Sequence, residues 1–208
     1  MFNKNPIIKI IFTILLGLTC LIGDRLSDNL THAVIRAIVD NVTHALIAGL
    51  SWIIVTLLLN HSVMRNLLEI TSCALMSSLI DVDHFIQAKS WKLSDATRLS
   101  KRAFLHSTTV PILLWTLMLL TSKVSTNEKM EHYSWIILMS FLSHHIRDAT
   151  RRGLWFAPFG STRPIPYYVY NIAIIILPYI FYYLMTHKIF TRKIPDYTLY
   201  QRETVDSV

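Results

Sequence analysis

Six apolar segments separated by more polar stretches run through this sequence, and they constrain its fold more than any other feature. The segments are 7–23, 42–59, 67–80, 104–121, 134–148 and 167–185. Only 16% of the residues are charged, against about 25% in ordinary soluble domains. Apolar runs of about 20 residues are long enough to cross a bilayer as helices. We therefore predict an all-α, multi-pass transmembrane helical bundle of about five to six spans.

The lengths of the segments also predict the domain organisation. Residues 1–186 form a single integral membrane domain, and residues 187–208 are a polar C-terminal tail. The third segment, Leu67 to Ile80, has only about 14 residues, fewer than the roughly 20 needed to cross the hydrocarbon. It is therefore either a span completed by its flanks or a re-entrant helix surrounded by protein.

The net charge of +7 fits lysine and arginine side chains held near anionic lipid headgroups. No basic stripe lies on a polar, foldable domain, so we expect the lipid bilayer and no nucleic acid as partner. The basic residues are spread over both predicted sides, so the positive-inside rule assigns no orientation. The protein is expected to be integral to a membrane, with the compartment left open (endomembrane or plasma membrane in a eukaryote).

The most informative stretch is 141–170, where an apolar run ends in two histidines, an aspartate and arginines before a loop rich in Gly and Pro. His144 and Asp148 are four residues apart, so on a helix they share one face and could hold one metal ion. His145 lies about 100° further round and is expected to point elsewhere.

A second polar cluster, Asp81-Val82-Asp83-His84, follows the third apolar segment. An aspartate near the middle of a bilayer costs roughly 2.5–3.5 kcal/mol, so such a cluster needs a reason even at the membrane edge. Two carboxylates and an imidazole are suitable ligands for a divalent ion such as Zn²⁺, Mn²⁺ or Mg²⁺. The alternative is a solvated group of charges at a helix end.

Two further histidines stand at the entrances of apolar segments. His44 begins the second, with Asp40 one turn earlier and placed to orient it, and His106 lies in the first turn of the fourth. The alternative for each is an ordinary interfacial side chain. The stretch 85–103 between them is a basic loop, either solvated or in contact with lipid phosphate.

Counting the spans predicts that all these residues meet. If the six segments cross the membrane in alternation, the ends of the odd segments and the starts of the even ones lie on the same side. His44, the 81–84 cluster, His106 and the His144–Asp148 pair all occupy such positions. The sequence therefore predicts one shared site at one membrane face.

Four segments, THALIAGL, LIDVDHF, KRAFLHS and SHHIRDATRRGLWFAPF, occur in this order between residues 40 and 166. They resemble the signature of a LexA-regulated, inner-membrane-associated family described as metal-dependent hydrolases. The chain as a whole is also similar to an animal multi-pass transmembrane protein, which implies a eukaryotic source.

The resemblance implies a role for each residue that matches the family pattern. The implied metal ligands are His44, Asp81, Asp83, His84, His144 and Asp148. The implied catalytic residues are His106 and Arg102, and His106 or His44 could serve either as a further ligand or as general acid. Apart from the resemblance, Arg147 is a weaker candidate than Arg102 for neutralising phosphate charge. The implied cofactor is a divalent metal (Zn, Mn or Mg), and a membrane-face site favours a lipid or lipid-linked phosphoester as substrate.

The sequence departs from the family pattern at three positions. Lys101 stands where the family has a histidine, Leu105 replaces a threonine, and Arg151 replaces a threonine or similar small residue. A lost histidine could remove a ligand or an acid–base group, so a non-catalytic membrane scaffold that keeps a metal or polar cluster is the alternative. A small transporter or channel is a third hypothesis, disfavoured because the polar residues lie at one face and not in mid-span.

Overall fold

The structure is a computed structural model that describes residues 6–187. Its eight α-helices are α1 (Pro6–Asn29), α2 (Ala33–Leu58), α3 (Leu67–Leu79), α4 (Val82–Ala88), α5 (Leu93–Ala96), α6 (Thr109–Ser125), α7 (Glu128–Arg152) and α8 (Tyr167–Thr186). A single 3₁₀ turn, Phe104–His106, precedes α6, and an antiparallel hairpin of β1 (Trp155–Phe156) and β2 (Gly160–Ser161) follows α7. The all-α class is confirmed, since the described residues are 76% helical.

Helix α2 is the centre of the bundle and packs against α1, α3, α7 and α8. On one side its Trp52 lies in a buried cluster with Trp135 of α7 and Phe181 of α8. On the other side Ile47 and Ile54 pack against Leu16 of α1 and its neighbours. Because α2 is buried on both sides, the residues at its start are held in a fixed place relative to α7.

Three helices among residues 6–187 are long and apolar enough to cross a membrane, namely α1, α2 and α8. Helix α6 is apolar but shorter. The outward faces of α1 and α6 expose large aliphatic side chains such as Ile10, Ile14, Leu113 and Leu117. Such faces suit contact with lipid tails. The prediction of an integral membrane protein is therefore confirmed.

Helix α3 is too short to cross the hydrocarbon by itself, as the length of the third segment indicated. Its 13 residues extend only about 20 Å at 1.5 Å per residue, short of about 30 Å of hydrocarbon. It packs against α2 and α7, so protein contacts cover part of its backbone. The chain then turns at Asp81 into the short α4, which places the 81–84 cluster at the end of α3 as predicted.

Several predicted loops are helical in the structure. The predicted polar loop 122–133 is wrong, since α6 continues to Ser125 and α7 begins at Glu128. Asn127 caps α7 by accepting the Met130 N–H at 3.1 Å, and acidic residues in the first turn favour this helix end. The basic loop 85–103 includes most of α4 and all of α5, and α7 extends into the predicted loop 149–166 as far as Arg152. Polar residues here extend helices beyond the apolar segments.

The hairpin after α7 is tied to the turn before α6. Thr108 donates its backbone N–H to the Trp155 carbonyl at 2.7 Å, and Arg102 donates to the carbonyls of Arg152 and Gly153 at the end of α7. These bonds fix the 3₁₀ turn that carries His106 against the C-terminal end of α7. The predicted polar tail, apart from His187 at the end of α8, lies outside the described residues.

Candidate metal centre

Five parts of the chain deliver the predicted site residues to one place. His44 comes from α2, Asp81 from the junction of α3 and α4, Asp83 and His84 from α4, His106 from the 3₁₀ turn, and His144 with Asp148 from α7. Ion-pair distances of 4.0 Å or less link all seven side chains into one continuous cluster. The structure thus brings the seven predicted site residues together on one side of the bundle, as expected from the sequence.

Four of these residues form the inner cluster, which we define as Asp81, His106, His144 and Asp148. Their ligand atoms all lie within 4.8 Å of one another. His106 Nε2 is 3.3 Å from His144 Nε2, 3.4 Å from Asp81 Oδ1 and 3.5 Å from Asp148 Oδ2. His144 Nε2 is 3.4 Å from Asp148 Oδ2 and 3.6 Å from Asp81 Oδ1.

These separations match those of a tetrahedral metal site. Ligand atoms placed about 2.1 Å from one centre at tetrahedral angles lie about 3.4 Å apart. Five of the six pairs in the inner cluster are separated by 3.3–3.6 Å. The donor set of two imidazoles and two carboxylates is also one that Zn²⁺ and Mn²⁺ accept. The residues present therefore fit a divalent ion.

The tautomer of His144 follows from its partner. Its Nδ1 lies 2.9 Å from the Ser77 carbonyl oxygen, which can only accept, so Nδ1 carries the proton and donates. The lone pair of the neutral ring is then on Nε2, which faces the inner cluster. A backbone carbonyl that orients a histidine in this way is the usual second contact of a metal ligand.

Asp83 orients the His106 ring in the same way. Its Oδ1 lies 3.2 Å from His106 Nδ1 and its Oδ2 accepts the Leu105 N–H at 2.6 Å. Burial disfavours the charged form of His106, but hydrogen bonds to Asp148, Asp81 and Asp83 raise its pKa to about 11. Burial likewise opposes ionisation of Asp83, but hydrogen bonds from His106 and His84 lower its pKa to about 2. Three carboxylates thus favour a cation at His106.

Asp83, His84 and His106 form a second group whose ligand atoms also lie within 4.8 Å of one another. His84 Nδ1 is 3.3 Å from Asp83 Oδ1 and 3.8 Å from Asp81 Oδ1. The two groups share His106, which presents one ring nitrogen to each. Asp83 and His84 therefore lie next to the inner cluster, and their predicted role as ligands stays a prediction.

His44 lies behind the inner cluster. Its ring stacks on that of His144 with centroids 3.8 Å apart, and its Nε2 is 3.5 Å from Asp148 Oδ1. Among residues 6–187, neither ring nitrogen of His44 nor Asp148 Oδ1 makes a hydrogen bond, although these atoms are buried. Leaving a buried polar atom unbonded costs about 1–3 kcal/mol. A cation held between His44 Nε2 and Asp148 Oδ1 would give these two atoms a partner.

His145 points away from the cluster, as predicted from its position on the helix. Its Nε2 donates to the Leu105 carbonyl at 2.9 Å and its Nδ1 lies 3.3 Å from the Thr108 hydroxyl. It therefore holds the turn that carries His106 against α7. Arg102 has a similar position, since its guanidinium donates to the end of α7. The catalytic role predicted for Arg102 stays a prediction.

Arg147 is buried and committed to two carboxylates, which corrects its candidacy as a phosphate ligand. Its Nε bonds Asp24 at 2.9 Å and its Nη2 bonds Asp40 at 2.8 Å. Asp40 also accepts from Arg151 at 2.8 Å, while its distance to His44 Nε2 is 4.0 Å. Asp40 is therefore mainly a partner of arginines and only a distant neighbour of the imidazole it was expected to orient.

Two groups of contacts were not anticipated from the sequence. Asp24, one turn before the end of α1, directly follows the first apolar segment, and its sequence context predicts no role for it. The sequence feature that could have indicated its contact with Arg147 is a carboxylate on the same predicted membrane side as the cluster. At the start of α7, far along the helix from the cluster, His132 Nε2 lies 2.9 Å from Glu69 Oε2, which also accepts from Trp52 at 3.3 Å. This second set joins α2, α3 and α7.

Known membrane proteins are similar to this chain over most of its length. Residues 39–201 match the model of the YdjM inner membrane protein family. Transmembrane protein 267 of Mus musculus is 39% identical over 194 residues, which cover 85% of this chain and 83% of the relative. The same protein of Danio rerio is 37% identical, with 82% and 77% covered, and that of Xenopus laevis is 35% identical, with 78% and 76% covered.

The chain therefore belongs to this family of integral membrane proteins. No solved structure matches it significantly. The family and the relatives are named for the membrane and not for a reaction, so the resemblance to metal-dependent hydrolases, like the LexA connection, stays a prediction. All the residues of the inner cluster fall within the matched range.

Proposed function

We propose that this protein is a membrane-embedded, metal-dependent hydrolase that acts on a lipid or lipid-linked phosphoester at one membrane face. A divalent ion (Zn, Mn or Mg) would be held by Asp81, His106, His144 and Asp148. The observation that carries the proposal is the near-tetrahedral spacing of these four donor atoms, drawn from three separate parts of the chain.

The chemistry that such an ion supplies is Lewis acidity and the activation of a water molecule near neutral pH. The neighbouring residues of the chain provide orientation and proton transfer. Asp83 holds the Nδ1–H of His106, and the Ser77 carbonyl holds the Nδ1–H of His144. Both Nε2 atoms thereby face the same point, which fixes the direction in which each ring can donate electrons.

His84 is the imidazole best placed to exchange a proton with a substrate. It is about one-third exposed, whereas His44 and His144 are buried, and it lines the cavity above the inner cluster. Its Nδ1 lies 3.3 Å from Asp83 Oδ1, which orients the ring. This makes His84 a candidate general acid, with His44 a buried neighbour of Asp148.

The test is to purify the full-length protein in detergent and measure its metal content and its affinity for Mn²⁺ and Zn²⁺. We expect about one tightly bound transition metal per chain, because two imidazoles and two carboxylates converge on one point. Asp148→Ala should lose it. Asp95→Ala is the matched control, because Asp95 is exposed in α5 and its carboxylate accepts from the hydroxyls of Ser90 and Ser94 and belongs to neither candidate ligand group. Absence of stoichiometric metal, with Asp148→Ala unchanged, would remove the proposal.

Lys101 favours a second candidate, a non-catalytic membrane scaffold in which the ion has a structural role. It is exposed at the rim of the cavity and cannot bind metal while protonated. The double variant Asp83→Ala, His144→Ala separates the two functions. Full biological effect in this variant would exclude hydrolysis at this site and favour a scaffold. Loss of effect is decided by phosphate release from a lipid phosphoester, which the wild type shows only if it is a hydrolase.

A further inference from the structure

A cavity of about 680 Å³ opens beside the inner cluster. Asp81, His84, His106 and Asp148 form one part of its wall. Its volume is in the range of sites for small molecules, about 300–1,000 Å³. The cavity can therefore hold more than a reacting group, and the rest of its wall indicates what else it holds.

The second part of the wall is apolar and belongs to the membrane-spanning helix α2. Val34, Ile38 and Val42 follow one another at intervals of four residues, so they share one helix face. They line the cavity, yet their side chains are 49–57% exposed. These exposed side chains lie in the first part of α2, a helix long and apolar enough to cross a membrane, so the cavity is open on the side of this helix face.

The third part of the wall faces α2 across the cavity. It comprises Phe85 at the middle of α4, Trp91, and Leu93 at the start of α5. The Trp91 ring stacks on that of Phe85 with centroids 5.9 Å apart, and its residue is 82% exposed. Tryptophan with such exposure is typical of the membrane–water interface. Two apolar sets of side chains thus line a slot beside a helix that is long and apolar enough to cross a membrane.

The rim of the cavity is basic. Lys101, Arg102, Arg151 and Arg152 all line it. Arg102 and Arg151 are engaged with carbonyls and with Asp40, while Lys101 and Arg152 are exposed. Basic side chains arranged beside an apolar slot complement an anionic group, such as a phosphate, that is attached to a hydrocarbon chain.

We infer that this cavity binds a membrane lipid with a phosphate headgroup, which enters sideways from the bilayer. Its chain lies between the Val34–Ile38–Val42 face and the Phe85–Trp91–Leu93 wall, and its phosphate lies at the Lys101–Arg152 rim beside the inner cluster. The inference rests on the proposed function only where it assigns the phosphate end of the lipid as the reacting end. Binding of the lipid itself requires no hydrolysis.

The experiment uses full-length protein in phosphatidylcholine nanodiscs. The probe is a phosphatidic acid with a photoreactive diazirine in one acyl chain, and labelled peptides are mapped by mass spectrometry. We expect label in residues 34–42 and 85–93. Ile38→Trp fills the slot and should reduce this labelling at least about tenfold, or about 1.4 kcal/mol. Ile35→Trp is the matched control, because Ile35 is 48% exposed on the same helix but does not line the cavity.

The headgroup is tested separately. Lys101→Gln should reduce labelling by the phosphatidic acid, whereas Lys92→Gln, an exposed lysine outside the cavity lining, should not. A diacylglycerol probe with the same diazirine chain should label the slot weakly. Equal labelling by the uncharged probe would overturn the role of the rim. Complete competition by inorganic phosphate or glycerol phosphate would overturn the role of the slot.

The outcomes also separate this inference from the hydrolase proposal. Label confined to the outward faces of α1 and α6, or unchanged in Ile38→Trp, means annular lipid only and removes the lipid site, even if Mn²⁺ binds normally. Label at the slot in a protein that binds no metal and releases no phosphate keeps the lipid site and removes the hydrolase.

Discussion

The Nε2 atoms of His106 and His144 lie 3.3 Å apart. His144 has no proton to offer there, because its Nδ1–H is given to the Ser77 carbonyl. His106 must therefore present a proton at Nε2, or both lone pairs must converge on a cation. The hydrogen bonds to three carboxylates that raise the pKa of His106 favour positive charge at this place. Either a protonated His106 or a divalent ion would supply this positive charge.

This relationship predicts the effect of Asp83, which contacts His106 without belonging to the inner cluster. Asp83→Asn should weaken metal binding by about 10–100-fold, because the carboxylate that orients the ring and raises its basicity is lost. The fold should persist, since the amide can still accept the Leu105 N–H. The measurement is competition with a chelator of known affinity. Affinity equal to wild type would mean that Asp83 does not act through His106.

Removal of the ion should lower the stability of the wild type. A ligand present at 100 times its Kd stabilises the folded state by about 2.7 kcal/mol. Addition of a chelator to the Mn²⁺-loaded protein should therefore lower its Tm in detergent. In Asp148→Ala the same chelator should have little effect, whereas Asp95→Ala should respond like the wild type. An equal fall in all three proteins would show that the chelator acts elsewhere.

The buried Arg147 makes a separate prediction about stability. Removal of one partner from a buried ion pair costs about 3–5 kcal/mol, and Arg147→Ala leaves Asp24 without its arginine partner and Asp40 with Arg151 alone. The exposed Arg98 is the control, and Arg98→Ala should change stability by less than about 0.5 kcal/mol. Unfolding by denaturant in detergent measures both variants.

The triple variant Arg147→Met, Asp24→Asn, Asp40→Asn tests whether the cost arises from unpaired charge. It removes the two carboxylates together with the cation, and we expect it to regain much of the lost stability. If it is as unstable as Arg147→Ala, packing of the long side chain and not its charge holds α1, α2 and α7 together.

The convergence of the site residues could be predicted because membrane crossing reduces topology to counting. If each apolar segment is taken to cross the membrane, the ends of the odd segments and the starts of the even ones share a side. His44, Asp81, His106 and Asp148 are far apart in the chain, yet that rule alone was enough to bring them together. The pair His144 and Asp148 needed only helical periodicity.

The ends of helices and the partners of the arginines could not be predicted in the same way. Apolar content indicates which residues face lipid, but it does not indicate where a helix ends. Helices such as α7 continue beyond their apolar segment with polar turns at both ends. Arg147 follows the paired histidines and was read as part of a site for phosphate. Its actual partners depend on how closely α1 approaches α2, which the residues near Asp24 do not reveal by periodicity.

That approach depends on Gly23, and it gives the last prediction. A Cβ placed on Gly23 would overlap the Thr43 side chain of α2, whereas one on Gly17 would lie 3.3 Å from the flexible end of Ile175. Gly23→Ala should therefore destabilise the protein by about 1–3 kcal/mol through overpacking, and Gly17→Ala by much less. Because Asp24 adjoins Gly23, separation of α1 from α2 should also weaken its bond to Arg147. Thr43→Ala should restore most of the stability of Gly23→Ala, and denaturant titration of the four proteins decides it. A Gly23→Ala protein as stable as the wild type would mean that α1 is held against α2 by other contacts.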